Sequence, residues 1–177
     1  MRKVTLEQLF LHPIAQKYLS RSGIAHAVTV AEHAAAYAQR EGENMDFAAK
    51  AGLLHDIGHY TWYRDGEWDT ALYRQNDIHA IKGATRAHKL LLQLGEHPAN
   101  AKTVAIAILL HTDSYLPEGK LALNPLQRIV HEADEADEEP NGAHHYRKMT
   151  PSTALARIIA LDHKVEANDR LNAQQTS

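Results

Sequence analysis

The chain has 177 residues, of which 44% are apolar and 23% charged, so it is long enough for one domain with a sizeable core. Its formal net charge of −3 gives no broad basic surface, and we expect no binding to nucleic acid polymers or membranes. It has no cysteine, which excludes disulfides, thiolate metal sites and cysteine nucleophiles, but it has 13 histidines. Since no signal peptide or bilayer-spanning apolar run is evident, we expect a cytoplasmic protein, with a homodimer left open.

Apolar residues recur at the 3.6-residue period of an amphipathic helix along most of the chain, and no stretch alternates like a strand. Glycine and proline mark the predicted ends, for example at Pro13, Gly42 and Gly95. The predicted helical segments are, in chain order, residues 4–20 in two short pieces, 24–41, 46–55, 78–94, 98–111, 125–134 and 151–167. We therefore predict an all-α domain of about seven helices.

Capping chemistry places some of the helix starts. Thr5 and Gln8 have the spacing of a capping box. Asp46 is predicted to cap the helix that it opens, and either Asn76 or Asp77 is predicted to cap the helix that follows.

The remaining stretches lack helical periodicity. Residues 60–76 mix aromatic and charged side chains, and we predict a loop there, with room for a short helix, over the site described next. Its Trp62, Tyr63 and Trp68 are candidates for stacking on a base, although aromatic residues under a loop are more often local core. Residues 138–149 are also predicted as a loop. The domain is expected to span 1–167, followed by a flexible tail over 168–177.

The segment from Ala51 to His59 ends an apolar helix in an imidazole beside a carboxylate, His55 and Asp56. Burying such groups costs free energy unless something pairs with them, and a metal ion is an efficient partner. Metal-capable residues also occur on four other helices, mostly at their ends, where a shared cleft can form. These residues are His26, His79, His111 and Asp134. A single histidine is most often a surface or core residue, so their order and positions together indicate the site.

The order of these residues and their local sequences resemble the HD-domain superfamily of metal-dependent phosphohydrolases. The resemblance spans about residues 20–140 and rests on three segments: Ala25-His26-Ala-Val-Thr-Val-Ala-Glu-His-Ala34, Leu54-His55-Asp56-Ile-Gly58 and Glu132-Ala133-Asp134. The additional His79 and His111 match the members that bind two metals. By this resemblance, the first ion would be held by His26, His55, Asp56 and Asp134. The second would be held by His79, His111 and a bridging Asp56.

The donor set and the resemblance together indicate which metals and which reaction to expect. Four imidazoles and two carboxylates without thiolate favour iron or manganese over a structural zinc site. We expect a phosphohydrolase acting on a small phosphorylated metabolite, a nucleotide or dinucleoside polyphosphate, with Asp56 central to catalysis and water activated by two ions. Many members carry lysine at the position of His59. Some nucleotide triphosphohydrolases of the superfamily carry histidine there, as this chain does. It is predicted to bind phosphate or donate a proton, with a merely structural role equally open. Lys82 is a second predicted phosphate contact.

Two other functions stay open at this point. A mixed-valent di-iron oxygenase acting on a polyol or phosphonate would use the same six ligands. A nucleotide-sensing module would keep the fold without turnover, although the intact ligand set argues against it. Near Asp134, His131 and Asp137 lie one turn away on either side and are candidates to support the metal ligands.

Overall fold

The computed structural model describes residues 2–59, 63–64, 67–113, 122–137 and 147–175. The described helices are α1 (Leu6–Leu11), α2 (Pro13–Ser22), α3 (Ile24–Glu41), α4 (Met45–Leu54), α5 (Thr70–Asn76), α6 (His79–Gln93), α7 (Pro98–Leu109), α8 (Pro125–Ala136) and α9 (Pro151–Gln175). Two short strands, β1 (Tyr63–Arg64) and β2 (Glu67–Trp68), pair antiparallel. The predicted all-α class is confirmed. The described part has nine helices rather than about seven, because the two short pieces predicted over residues 4–20 are separate helices, α1 and α2, and the short helix left open in residues 60–76 is present as α5.

Several predicted boundaries are confirmed by the hydrogen bonds at the helix ends. The Gln8 N–H donates to Thr5 Oγ1 (3.1 Å), and the Thr5 N–H donates to Gln8 Oε1 (2.9 Å), which is a complete capping box. Gly42 ends α3 in the left-handed region, with φ 74°. Asn124 and Gln127 form a second capping box at the start of α8.

Two predicted caps are wrong in detail. Asn44, rather than Asp46, caps α4 by accepting the Phe47 N–H (2.9 Å). The N-cap position of α6 is Ile78, which has no capping side chain; Asp77, one residue earlier, accepts the His79 N–H (3.0 Å). Both carboxylates have other partners, which sequence spacing alone does not reveal.

The predicted end of the last helix at residue 167 is also wrong, since α9 continues to Gln175 and residues 168–175 are helical. The predicted domain limits stay a prediction. Apolar periodicity indicated an end near residue 167 because Val165 is the last buried residue of α9. The following residues are mostly exposed, but no proline or glycine stops the helix there. In the described part of residues 60–76, the predicted short helix is α5. Trp62 and most of the predicted 138–149 loop lie outside the described residues, as do the side chains of Tyr63 and Trp68.

Helix α3 lies at the centre of the fold and packs against α2, α4, α8 and α9. Its crossing with α4 is close because a Cβ at Gly52 would lie 2.9 Å from the Val30 carbonyl oxygen. The buried face of α3 is largely alanine, which permits this approach. The close crossing brings the start of α3 and the end of α4 together, where His26 and His55 lie. None of the helices in the described ranges is long and apolar enough to cross a membrane.

A buried group of charged residues ties together elements at the other end of α4. The Lys50 side chain is fully buried, and its Nζ lies 2.6 Å from Asp46 Oδ2 and 2.7 Å from Glu96 Oε2. Arg2 pairs with both Asp46 and Asp162. Asp162 in turn accepts the first backbone N–H groups of α1. The network therefore links α1, α4 and α9 to the turn before α7, and each charge within it has an opposite partner.

Candidate metal centre

The structure brings all six predicted ligands into one cleft, each from an end or an inner face of a helix. His26 lies in the first turn of α3, His55 caps α4, and His79 begins α6. His111 follows α7, and Asp134 lies on α8. Five of the six are buried, and Asp134 is partly buried. Such buried polar groups demand a partner, because desolvation without one is costly.

The first half of the cleft is formed by His26, His55 and Asp134. The Nε2 atoms of the two histidines lie 3.1 Å apart. Asp134 Oδ1 lies 3.1 Å from the His26 Nε2 and 3.3 Å from the His55 Nε2. Three ligand atoms thus surround one point, and this group could hold a metal ion.

The second half is formed by His79 and His111, whose Nε2 atoms lie 3.2 Å apart. Asp56 stands between the halves. Its Oδ1 lies 3.6 Å from the His79 Nε2 and 3.7 Å from the His111 Nε2, whereas its Oδ2 lies 3.4 Å from the His55 Nε2. Asp56 therefore turns one oxygen toward each half.

The other ring nitrogen of each histidine decides which atom faces the cleft as a ligand. The Nδ1–H of His55 donates to the Gly52 carbonyl (2.7 Å), and that of His111 donates to the Ile108 carbonyl (2.6 Å). A carbonyl can only accept, so Nδ1 carries a proton, and once Nε2 is deprotonated each ring offers that lone pair to the cleft. This donor set fits a divalent metal.

The electrostatics of the cleft also favour a cation. Burial raises the pKa of Asp56 and Asp134, but the His55 imidazole beside both outweighs it and holds their pKa values well below the usual range. Burial lowers the pKa of His55, and these two carboxylates raise it well above its usual value. For His111, burial and the neighbouring His55 charge lower the pKa to about 4. The carboxylates thus stay ionised in a buried site, where the protonated His55 balances part of their charge and a bound metal cation could take the place of that proton.

Two glycines fix the turn that carries His55 and Asp56 against α6. A Cβ at Gly58 would lie 1.7 Å from the His79 carbonyl oxygen, and one at Gly83 would lie 2.9 Å from the His55 carbonyl oxygen. No side chain fits at Gly58 without displacement, so the turn and the start of α6 are in backbone contact. Arg86 supports the same turn by donating to the Ile57 carbonyl (2.5 Å). Its guanidinium therefore lies against the turn.

His59 lies at the edge of the cleft with its side chain 23% exposed. Its Nε2 is 3.2 Å from Asp56 Oδ1, and its ring stacks on that of His79 with 4.2 Å between centroids. Tyr73 stacks on His59 at 5.9 Å. Burial lowers the pKa of His59, but the Asp56 charge raises it above its usual value. Asp56, His59 and His79 also form a group that could hold a metal, so the predicted roles of His59 stay predictions.

The other residues predicted from the sequence to support the site are Lys82, His131 and Asp137. Lys82 lies on α6 three residues after His79 and is partly buried, and its phosphate contact stays a prediction. The His131 Nδ1–H donates to the His111 carbonyl (2.7 Å). Asp137 accepts from the His26 ring (2.7 Å), as the spacing from Asp134 suggested. Asp77, which was predicted only as a helix cap, accepts a hydrogen bond from the His79 ring (2.7 Å). The one feature of the sequence that could have indicated this contact is an acidic residue two positions before a candidate ligand.

Comparison with known proteins shows the family of this chain. The sequence model of the family described as HD domain matches residues 23–139. The chain belongs to the HD domain family. HD domains bind divalent metals, and the His and Asp groups of the cleft could hold such ions.

A curated relative supports the assignment of the HD domain. The Bacillus subtilis (strain 168) protein named "Putative phosphohydrolase YueE" is 63% identical over 166 residues, which cover 94% of this chain and 94% of that protein. No solved structure matches the chain. Together, the family match and this relative identify a metal-dependent phosphohydrolase, the first of the three functions considered from the sequence.

Proposed function

We propose that this HD domain binds two divalent ions, iron or manganese, and hydrolyses a phosphate bond of a nucleotide or dinucleoside polyphosphate. The observation that carries the two-ion proposal is the placement of Asp56. One of its oxygens faces His79 and His111, and the other faces His55, so a single carboxylate can serve both halves of the cleft. Imidazole and carboxylate donors without thiolate are compatible with iron and manganese.

The ions would supply positive charge to a phosphoryl oxygen and lower the pKa of water, which is what phosphate hydrolysis requires. The protein's part is to hold the ligands in place. His26, His55 and Asp134 form one half, His79 and His111 form the other, and Asp56 joins them. Because the Nδ1 atoms are engaged outside the cleft, the imidazoles cannot rotate freely.

His59 is the proposed contact for the substrate's phosphate or leaving group. It lies beside Asp56 and is more exposed than the buried histidine ligands, so an incoming phosphate can reach it. The Asp56 charge raises its pKa, which favours the protonated form that can donate a hydrogen bond or a proton. Lys82, on the helix that His79 opens, is the second proposed phosphate contact.

A nucleotide substrate is proposed on two grounds. First, some nucleotide triphosphohydrolases of the superfamily have histidine rather than lysine at the position of His59, and this chain resembles them there. Second, the cleft combines side chains that can donate a hydrogen bond as cations with buried carboxylates that can bind metal. Such a cleft suits a polyphosphate, which the metal ions would link to those carboxylates. A single phosphate ester would use fewer of these contacts.

The proposal is tested on protein purified without added metal. Metal content is measured first, and phosphate release is then measured without oxygen on nucleotides and dinucleoside polyphosphates. His26→Ala is compared with His33→Ala, since His33 lies on the same helix and stacks on Tyr37 at 6.0 Å. The proposal is supported if His26→Ala loses both its bound metal and its phosphate release while His33→Ala keeps both. Oxygen uptake by iron-loaded protein, with no phosphate released, would overturn it in favour of an oxygenase.

A further inference from the structure

Each half of the cleft contains one histidine supported by a backbone carbonyl and one supported by a carboxylate. His55 and His111 donate to the carbonyls of Gly52 and Ile108. The remaining two donate to side-chain carboxylates: His26 to Asp137 Oδ2 at 2.7 Å, and His79 to Asp77 Oδ1 at 2.7 Å. The same pairing therefore occurs once for each ion in the proposed function.

The Asp77 oxygen makes two contacts with one residue. Its Oδ1 accepts the backbone N–H of His79 at 3.0 Å and the ring Nδ1–H of His79 at 2.7 Å. One carboxylate oxygen thus fixes both the backbone and the ring of this histidine, and the ring's Nε2 is left facing the cleft.

Asp137 is held differently. The side chain is buried, and its Oδ2 accepts from both the His26 ring and the Arg147 guanidinium. The carboxylate orients the His26 imidazole, and Arg147 pairs with the same oxygen. The chain of contacts runs from a residue after α8 to the first turn of α3.

We propose that Asp77 and Asp137 are positioning residues, one for each ion, which orient His79 and His26 and strengthen their Nε2 atoms as donors. A carboxylate on the far nitrogen of a metal-bound imidazole holds the ring in one orientation and one tautomer. It also draws the Nδ1 proton toward itself, which leaves more electron density on the Nε2. The inference rests on the two-ion function proposed above.

The first experiment measures the dissociation constants of Mn²⁺ by competition with a fluorescent chelator. Asp77→Ala should weaken binding of one of the two ions by about 10–100-fold. Asp77→Asn keeps an oxygen that accepts the ring N–H but loses the charge, so its loss should be smaller. The matched control is Asp162→Ala, because Asp162 also accepts backbone N–H groups at a helix start, on Leu6 and Glu7, but touches no cleft histidine.

The control separates positioning from stability. Both alanine variants should lower the midpoint of thermal unfolding, since each loses a helix-end carboxylate. Only Asp77→Ala should change the dissociation constant of Mn²⁺. Equal weakening in both variants would show that Asp77 acts through overall stability, and would overturn its assignment.

Asp137 is tested against Arg147. Asp137→Ala should weaken one ion by about 10–100-fold, whereas Arg147→Gln, which breaks the ion pair but keeps the carboxylate on His26, should retain binding within about twofold. If Arg147→Gln weakens Mn²⁺ as much as Asp137→Ala, the ion pair rather than the His26 contact is responsible.

A His111→Ala background assigns each carboxylate to its ion. That variant should retain only the ion at His26, His55 and Asp134. In it, Asp77→Ala should leave the remaining dissociation constant unchanged, and Asp137→Ala should weaken it by about 10–100-fold. A wild-type protein that binds one ion would contradict the proposed function itself. A wild-type protein with two ions, together with Asp77→Ala and Asp137→Ala variants that bind both normally, would overturn only this inference.

Discussion

Replacing Gly58 with alanine tests whether backbone contact between the His55–Asp56 turn and α6 sets the geometry of the cleft. The added Cβ would lie 1.7 Å from the His79 carbonyl oxygen and 2.5 Å from the Gly83 nitrogen, whereas ordinary contact begins at 3.4 Å. Both neighbours are backbone atoms, so they cannot rotate away. The turn and the start of α6 must therefore separate by well over 1 Å.

The structure also indicates the size of the effect. Inserting a methyl group into a packed site costs about 1–3 kcal/mol. Catalytic constellations need positions held within about 0.5 Å, and the separation moves Asp56 away from His79 by more than this. We therefore expect Gly58→Ala to lose the second ion and to lower kcat by about 10²-fold or more.

The assay pairs thermal unfolding and metal analysis of Gly58→Ala with those of Gly95→Ala. Gly95 follows the same helix, has φ 93° and has no atom within 4 Å of an added Cβ. Its substitution costs about 1–2 kcal/mol through backbone strain alone. Gly95→Ala should therefore be less stable than wild type but keep full metal content and kcat. The reasoning is refuted if Gly58→Ala also retains both.

Three further predictions concern the cleft and the buried charges. His79→Ala and His111→Ala should each lower metal content from two ions toward one by elemental analysis, with helical circular dichroism unchanged; a full complement of two would remove these residues from the ligand set. His59→Gln should lower kcat by about 10²-fold at unchanged metal content if it donates a proton, whereas a wild-type rate would leave it a structural neighbour of His79. For Glu96, burial raises the pKa but Lys50 lowers it below its usual value, so the ionised form stabilises the fold above pH about 4.5 and this contribution is lost as the pH falls through the lowered pKa. In urea unfolding, the stability difference between wild type and Glu96→Gln should therefore be largest near pH 7 and shrink below pH about 4, and a difference independent of pH would contradict this.

Much of the helical framework could be predicted from the sequence because its signals are local. The Thr5 capping box, the Gly42 stop and the apolar stripe of α3 each act within a few residues of the chain. The end of α9 could not be placed in this way. Its last turns lie beyond the final core contact at Val165, so burial gives no signal for a helix that nonetheless continues.

The cleft shows the same division between local and long-range information. The six candidate ligands could be named because their order and neighbouring residues follow a family pattern, and the structure brings them together. The support of the cleft depends on tertiary contacts between distant residues. Asp137 meets His26 across 111 positions, and the contact of Gly58 with the His79 carbonyl appears only when α6 is packed in place.

The most direct test of the two-ion cleft compares wild type with Asp56→Ala by elemental analysis and phosphate release without oxygen on the same preparations. Asp56 is the residue whose two oxygens face the two halves. Two ions per wild-type chain, with metal and phosphate release both lost in Asp56→Ala, is the predicted result. A wild-type protein with a single ion under metal-replete conditions, or an Asp56→Ala protein that keeps its metal and its rate, would contradict it.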